Sequence, residues 1–530
     1  LSDQFNITGI DITIFIIYLA LSRLIPLLFR GKNENSEDYF LGSRNFTWPL
    51  IGFSLIATNA SGASFVGLAG AGYDQGISVY AYEWMTTVIL VVFIFFLLPF
   101  YLRSRVFTLP EFLGRRYDGR SRIAFSGFNL FANMFIDMAA ALYAGGIAFQ
   151  VLFPQLSLFV IVVGLALLAG IYTVIGGLSA VMISDTIQAS VVIIGGTAIF
   201  ILVLVEAGGW QAATLPATER QMSLILPASD DALPWPGLFL GVLLNGLYYW
   251  TTNQLVVQRT LGARNLDHGR WGSIFAGFMK LSFLFLFILP GTFALGLYPN
   301  LDNPDLVFPT LAFDLLPIGV RGLMLAALVA AVTSTVDSIL NSASTLVTMD
   351  FVQNFRPQTS QAALVTIGRI TTVGALILAC IWAPSIANFT SLYGYLQSVL
   401  SYIVPAIVAT FLLGIMWTRI NGLAAFTTLV TVIPLGVVAF IFNEILAEEP
   451  PIQFLYAAGV SFAVSLVVLI GISFLTGPPS DPERVREVTW SPQFWHEETE
   501  HLRGTPLWKN YRFWSVALVI STAIIVFIFR

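Results

Sequence analysis

The chain has 530 residues, of which 57% are apolar and only 10% are Asp, Glu, Lys or Arg, against about 25% charged residues in soluble domains. So little charge cannot cover the surface of a soluble protein. Disorder needs low hydrophobicity, a disulfide scaffold needs paired cysteines where Cys380 stands alone, and a nucleic-acid binder needs a basic field where the net charge is −5. The mean hydropathy of +0.82 leaves an all-α polytopic membrane protein.

A helix crossing the hydrocarbon core takes about 20 apolar residues. Fourteen stretches qualify: 9–30, 46–73, 77–102, 121–152, 157–176, 181–205, 236–258, 271–297, 321–349, 362–383, 387–415, 420–443, 453–475 and 511–529. The first has no basic residue before it and no small-residue cleavage pattern after it, so it reads as a helix and not as a signal peptide. With the N-terminus outside, 21 basic residues fall on the cytoplasmic side. Arg30, Lys32, Arg115, Arg116, Arg120, Arg259 and Arg484 are among them, against Arg220, Arg321 and Arg530 outside. This is a strong positive-inside bias. Glu444, Glu448 and Glu449 fall outside, and an even number of spans puts both termini there. The longer loops are 206–235, 298–320 and 476–510, the last a Pro-rich, charged tether to a final peripheral helix.

Charge at membrane depth is costly and marks function by default. Glu83, Asp137, Asp185, Lys280 and Asp337 lie in spans, with Asp185 close enough to a helix end for solvation. Four acids and one lysine suit a site for a cation and a polar solute, or an ion pair that holds helices together. Two spans are interrupted, at Ala57-Thr58-Asn59-Ala60-Ser61-Gly62-Ala63-Ser64 and at Leu244-Asn245-Gly246-Leu247-Tyr248-Tyr249-Trp250-Thr251-Thr252-Asn253-Gln254. Broken backbone is tolerated at that depth only where it lines protein or a cavity. The breaks stand five spans apart, as expected of two five-helix inverted repeats that form a midplane site. Helix packing through Gly67, Gly70 and Gly72 is the alternative use of the small residues. In the ninth span Ala331, Ser334, Thr335 and Ser338 share a face. Hydroxyls and carbonyls there suit sodium, but the hydroxyls can also bond their own i−4 carbonyls, and spacing leaves both readings open.

Further motifs are Ser36-Glu37-Asp38-Tyr39-Phe40-Leu41, Tyr82-Glu83-Trp84-Met85, Gly176-Gly177-Leu178-Ser179-Ala180-Val181 and Gln258-Arg259-Thr260-Leu261. The longest is Leu340-Asn341-Ser342-Ala343-Ser344-Thr345, closed by Thr348-Met349-Asp350. Through these the chain resembles the sodium/solute symporter family in its sugar-transporting branch. That branch holds bacterial sodium/galactose symporters and animal sodium/glucose and sodium/inositol cotransporters. The resemblance implies a LeuT-like core of ten helices in two inverted repeats, with the first and sixth core helices broken. It divides the chain into a peripheral helix and loop (1–45), a first repeat (46–206), an outer loop (207–235), a second repeat (236–419) and peripheral helices (420–530) around the linker 476–510.

The resemblance also implies site residues. Sodium is the coupling ion, held by carbonyls of Ala57, Ala60 and Ala331 with the hydroxyls of Ser334 and Thr335. A second sodium ion would use Asp185, Ser334, Asp337 and Ser338, with a proton on one acid as the alternative. The solute contacts carried over are Glu83, Thr86, Lys280, Gln397 and the stacking Tyr249, which also closes the cytoplasmic side. Leu68, Tyr82 and Tyr393 form the outer lid. Ser64 stands where galactose symporters have Gln, and Gly246, beside Asn245, stands where they have Asn. Asp137 replaces another Asn. The expected function is sodium-coupled uptake of a neutral hexose, deoxyhexose or inositol across a membrane, with the absence of long glycosylated loops fitting a bacterial inner membrane. Its rivals are a symporter of amino acids or carboxylates, a membrane sensor and a membrane enzyme, although no nucleophile–base pair is visible.

Overall fold

The structure is a computed structural model and describes residues 7–28, 36–60, 62–388, 392–447 and 450–530. Arg30, Lys32, Ser61, Glu448 and Glu449 of the sequence reading lie outside the described residues.

The described chain is almost wholly helical. Polar residues at the loop boundaries start the helices by accepting from orphan backbone N–H groups. Asp118 accepts from Ser121 (2.9 Å), Asn265 from His268 (3.0 Å) and Asn421 from Ala424 (2.9 Å). Between such caps the apolar runs are long enough to span a bilayer. Among the described residues ten helices pass on length and apolarity, and twelve when two bent pairs count as single spans.

Two of the fourteen expected stretches fall outside that set. The fifth is helical only as part of an unbroken run, Leu158–Glu206, without the expected loop at 177–180. Its apolar helix Leu158–Ala169 is short. The seventh is helical from Trp235 to Thr252, but an asparagine, two tyrosines and two threonines dilute its apolarity.

Both expected breaks exist. Trp48–Asn59 ends at Ala60 (φ −73°, ψ 54°), and the next helix leaves at 56°. The seventh stretch loosens into wide turns over Tyr248–Thr252 and breaks at the single extended residue Asn253 (φ −79°, ψ 122°). A third bend, of 53°, separates Leu392–Ile403 from Pro405–Met416. Pro405 lacks the N–H that would continue the helix.

Loops group at two ends in the alternation expected from the basic residues. At one end Gly319 and Gly322 donate to Asp11, Ile77 donates to Gln221 and Leu224 donates to Phe529. At the other, Arg44 donates to the carbonyls of Leu261, Arg105 and Val106, and Arg484 to that of Gly114. Asp11 and Phe529 thus lie on the less basic side. The expected tether 476–510 is folded: it carries helices Pro482–Glu487 and Pro492–His501 and packs on the basic end, with Trp490 N 2.7 Å from Ile415 O and Phe494 against Phe100.

In the apolar 18-residue stretch of helix Val320–Phe355, 94% is buried, against 22% for that of Phe454–Thr476. The first is therefore central to the bundle, and the second turns its apolar side chains outward. The glycines of the second broken-helix segment serve close packing: a Cβ on Gly70 would lie 2.8 Å from Pro304 O, and one on Gly72 2.5 Å from Ile288 O.

Candidate solute and sodium site

The two broken helices, the helix that starts at Ala81 and the helix Leu392–Ile403 enclose a cavity of about 120 Å³. Eight of the nine expected solute contacts line it: Ser64, Glu83, Thr86, Asp137, Asn245, Gly246, Tyr249 and Gln397. Asp137 and Tyr249 stand on wide helical turns, Asn133–Met138 and Tyr248–Thr252. Such turns insert an extra residue and re-aim their side chains. Sequence reasoning passed over Asn59 and Trp250 as individual wall residues, although both lie inside the quoted breaks.

The ninth expected contact, Lys280, stands behind the wall. It is fully buried, and its Nζ donates to Glu83 Oε2 and Asn59 Oδ1, 3.8 Å from the centre of the Phe283 ring. An ammonium removed from water needs such partners. Its consequence for the cavity is indirect: Lys280 neutralises Glu83 and fixes where that carboxylate points.

Asn245 is held on its donor side. Its Nδ2 donates to Gln397 O (3.2 Å), Gln397 Oε1 (3.1 Å) and Ser401 Oγ (2.9 Å). Its Oδ1 is buried and has no hydrogen-bond partner among the described residues, a costly state for a polar atom. Of the expected lid residues, Tyr82 and Tyr393 line the cavity and meet edge to face at 5.2 Å, whereas Leu68 is buried and does not line it.

Thr335 lines the cavity, and its Oγ1 bonds its own helix at Ala331 O (2.9 Å). Ala57, Ala60, Ala331 and Ser334 are buried, and helix Trp48–Asn59 packs on helix Val320–Thr345. Ser334 Oγ donates to Asp185 Oδ1 (2.6 Å), and Ser54 Oγ to Asp185 Oδ2 (2.5 Å). Asp185 is buried, not solvated at a helix end. Arg259, placed by sequence among the cytoplasmic charges, is also buried. Its guanidinium lies 3.6 Å from Asp185 and donates to Ser338 Oγ at 2.8 Å. Of the residues expected to hold a second ion, Asp185 and Ser338 thus lie against the Arg259 guanidinium, and Ser334 bonds Asp185.

The sequence profile of the sodium:solute symporter family matches residues 39–431. The chain belongs to the sodium:solute symporter family. Sodium is the coupling ion of this symporter. The chain is 32% identical to the sodium/myo-inositol cotransporter 2 of Bos taurus, over 91% of this chain and 78% of that one. It is 32% identical to the sodium/glucose cotransporter 1 of Oryctolagus cuniculus, over 91% and 81%. A solved structure of a sodium-coupled sialic acid symporter, substrate-bound and outward-open, superposes with a TM-score of 0.76 at 21% identity, over 89% of this chain and 99% of that one. This last likeness shows the fold, a LeuT-like transporter core in a multi-pass membrane protein.

Proposed function

We propose that the symporter carries a neutral sugar or polyol, a hexose, deoxyhexose or inositol, into the cell together with sodium. The observation that carries this reading is the cavity wall: the carboxylates of Glu83 and Asp137, the amides of Asn59, Asn245 and Gln397, and the ring of Tyr249. Hydroxyl groups donate to such acceptors, and a flat aromatic face suits the C–H face of a ring. Glu83 is neutralised by Lys280 and Asp137 is a second acid, so the wall repels an anionic solute. Inositol and glucose cotransporters among the relatives support the same class.

In this reading sodium binds carbonyls of Ala57, Ala60 and Ala331 with the hydroxyls of Ser334 and Thr335. Thr335 is placed to link ion and solute, because it belongs to the ion set and lines the solute cavity. Ion and solute then strengthen each other's binding reciprocally. The Tyr82–Tyr393 lid closes, Tyr249 yields, and both cargoes leave on the other side. The membrane potential adds about 2.3 kcal/mol per charge per 100 mV. No covalent step is required. In this reading the two repeats span 46–206 and 236–419, both termini lie outside, and the membrane is a bacterial inner membrane.

Uptake into proteoliposomes tests this against a panel of hexoses, deoxyhexoses, inositols and amino acids. Accumulation of a polyol in sodium, but not in choline or potassium, is expected. Equal uptake in all three salts, or accumulation of amino acids alone, would overturn the assignment.

A further inference from the structure

A second cavity, of about 370 Å³, opens at the basic end of the bundle, far from the solute site. Its walls carry four arginines, Arg115, Arg116, Arg120 and Arg484, against two carboxylates, Asp118 and Asp481. The helices Gly119–Ala132 and Gly422–Phe440 both begin here, so close together that a Cβ on Gly422 would lie 2.8 Å from Asp118 Oδ2. Their aligned peptide dipoles add positive potential.

The arginines are not equally engaged. Arg116 is spent on the fold, with its guanidinium on the carbonyls of Gly414 (2.6 Å), Trp417 (2.9 Å) and Ile420 (3.0 Å). Arg115 is held by Glu111 at 2.9 Å and by the carbonyl of Ser104. Arg484 is exposed and gives one of its guanidinium nitrogens to Gly114 O at 2.7 Å. Arg120 is exposed and leans on Asp118 at 2.9 Å. A guanidinium has five donors in a fork that matches phosphate oxygens, so Arg120 and Arg484 keep donors for a ligand.

Depth supports the same ligand chemistry. The cavity lies where the membrane helices Pro405–Met416, Gly422–Phe440 and Phe454–Thr476 end or begin. Beside it Trp417 and Phe474 meet at 6.0 Å, both exposed, and Arg419 lies 5.0 Å over Phe474. Exposed aromatics at helix ends mark the headgroup layer. Basic pockets between helices at that level on the cytoplasmic side suit anionic headgroups.

We infer that this cavity binds a phosphate group, that of an anionic phospholipid of the inner leaflet or of a soluble phosphate, between Arg120 and Arg484. Arg484 belongs to the folded tether, and Arg120 to the helix that leads to Asp137, so the ligand fastens the tether to a transport helix. The inference rests on the membrane reading and on neither the sugar nor the sodium assignment.

The test uses the full-length protein purified in detergent, with bound lipid read by native mass spectrometry. Phosphatidylglycerol, phosphatidylcholine and inorganic phosphate are titrated separately. Phosphatidylglycerol retained in preference to phosphatidylcholine identifies the lipid source, and inorganic phosphate that binds alone or displaces it identifies a soluble one. At about 1 kcal/mol per basic residue near the surface, the pair Arg120→Gln and Arg484→Gln weakens binding roughly 30-fold. A monodisperse size-exclusion peak of the same variant verifies that it folds. Equal retention of the two lipids without any phosphate binding, or unchanged binding in the folded double variant, would overturn the inference.

Discussion

Among the described residues, the buried carboxylate–cation pairs Glu83–Lys280 and Asp185–Arg259 differ in their surroundings. Glu83 and Lys280 stand at a cavity, with Glu83 in its wall and Lys280 behind it. Asp185 and Arg259 are packed among the hydroxyls of Ser54, Ser334 and Ser338. In the first pair the lysine has one carboxylate and one amide to satisfy, and the carboxylate keeps a face toward the cavity. In the second, both carboxylate oxygens are already taken by serines, while the guanidinium approaches from one side. The difference teaches that a buried ion pair can prepare a surface for a solute or fill a corner where a mobile cation would otherwise sit.

Substitution of the lysine tests the first half with the largest effect. Removing one partner of a buried pair costs about 3–5 kcal/mol. Lys280→Ala should therefore cut sodium-dependent uptake by at least ~100-fold, at about 1.4 kcal/mol per tenfold, and lower the unfolding midpoint. The double variant Glu83→Gln, Lys280→Met should recover stability without recovering uptake, since the wall has lost its acceptor. Undiminished uptake by Lys280→Ala would end the comparison on the solute side.

Asp185→Asn probes the second pair. A second sodium ion would compete with the Arg259 guanidinium for the Asp185 carboxylate, 3.6 Å away. Wild-type uptake should show a sodium Hill coefficient above one. Asp185→Asn should bring it toward one, with an apparent sodium affinity weaker by about tenfold, the worth of one charge-assisted hydrogen bond. An unchanged coefficient would leave Arg259 as the only cation that this corner takes.

The two pairs were not equally legible in the sequence. Polar residues inside apolar runs stand out one at a time, and matched motifs then located the cavity wall. Lys280 was found with the wall, but nothing in a linear string separates a residue facing a solute from one standing behind it. Arg259 was missed for a related reason. A single arginine at a helix end reads as positive-inside charge, and only the fold brings Asp185 and Ser338 to it. The position of a break is local: Ala57–Ser64 and Leu244–Gln254 were visible, yet the second hinge narrows to Asn253 because the turns before it widen instead of unwinding. The bend at Pro405 carried its signal in the proline itself. The fold of 476–510 did not, because its helices are too short to show a period.

A smaller effect belongs to the aromatic wall. Tyr249→Phe keeps the ring and should hold the solute KM within about twofold, whereas Tyr249→Ala loses a ring–ring or ring–solute contact worth about 0.5–1.5 kcal/mol and should raise KM by ~2–10-fold. Similar KM values for both variants would remove Tyr249 from the solute-facing side of the comparison.

The smallest expected effect concerns a third buried acid, outside the spans. Asp305 lies in the 298–320 loop, fully buried, with Oδ2 3.1 Å from the N–H of Leu392, the start of the helix that carries Tyr393 and Gln397. Unlike Glu83 and Asp185, it has no ion-pair partner among the described residues. Burial pushes its carboxyl from the usual 3.8 up to about 6, with Asp74 adding repulsion and the Leu392 N–H opposing both. A raised carboxyl means that the folded state holds its proton more tightly than the unfolded chain. The stabilisation is complete below pH 3.8, declines as pH rises to about 6, and is absent above it. The wild-type unfolding midpoint, measured relative to Asp305→Asn, should therefore rise by about 1–2 °C between pH 7.5 and pH 5 in a chain of this size. Parallel pH curves for the two proteins would show that Asp305 stays ionised, and that a lone buried carboxylate at a helix N-terminus needs no cation where the two intramembrane acids have one.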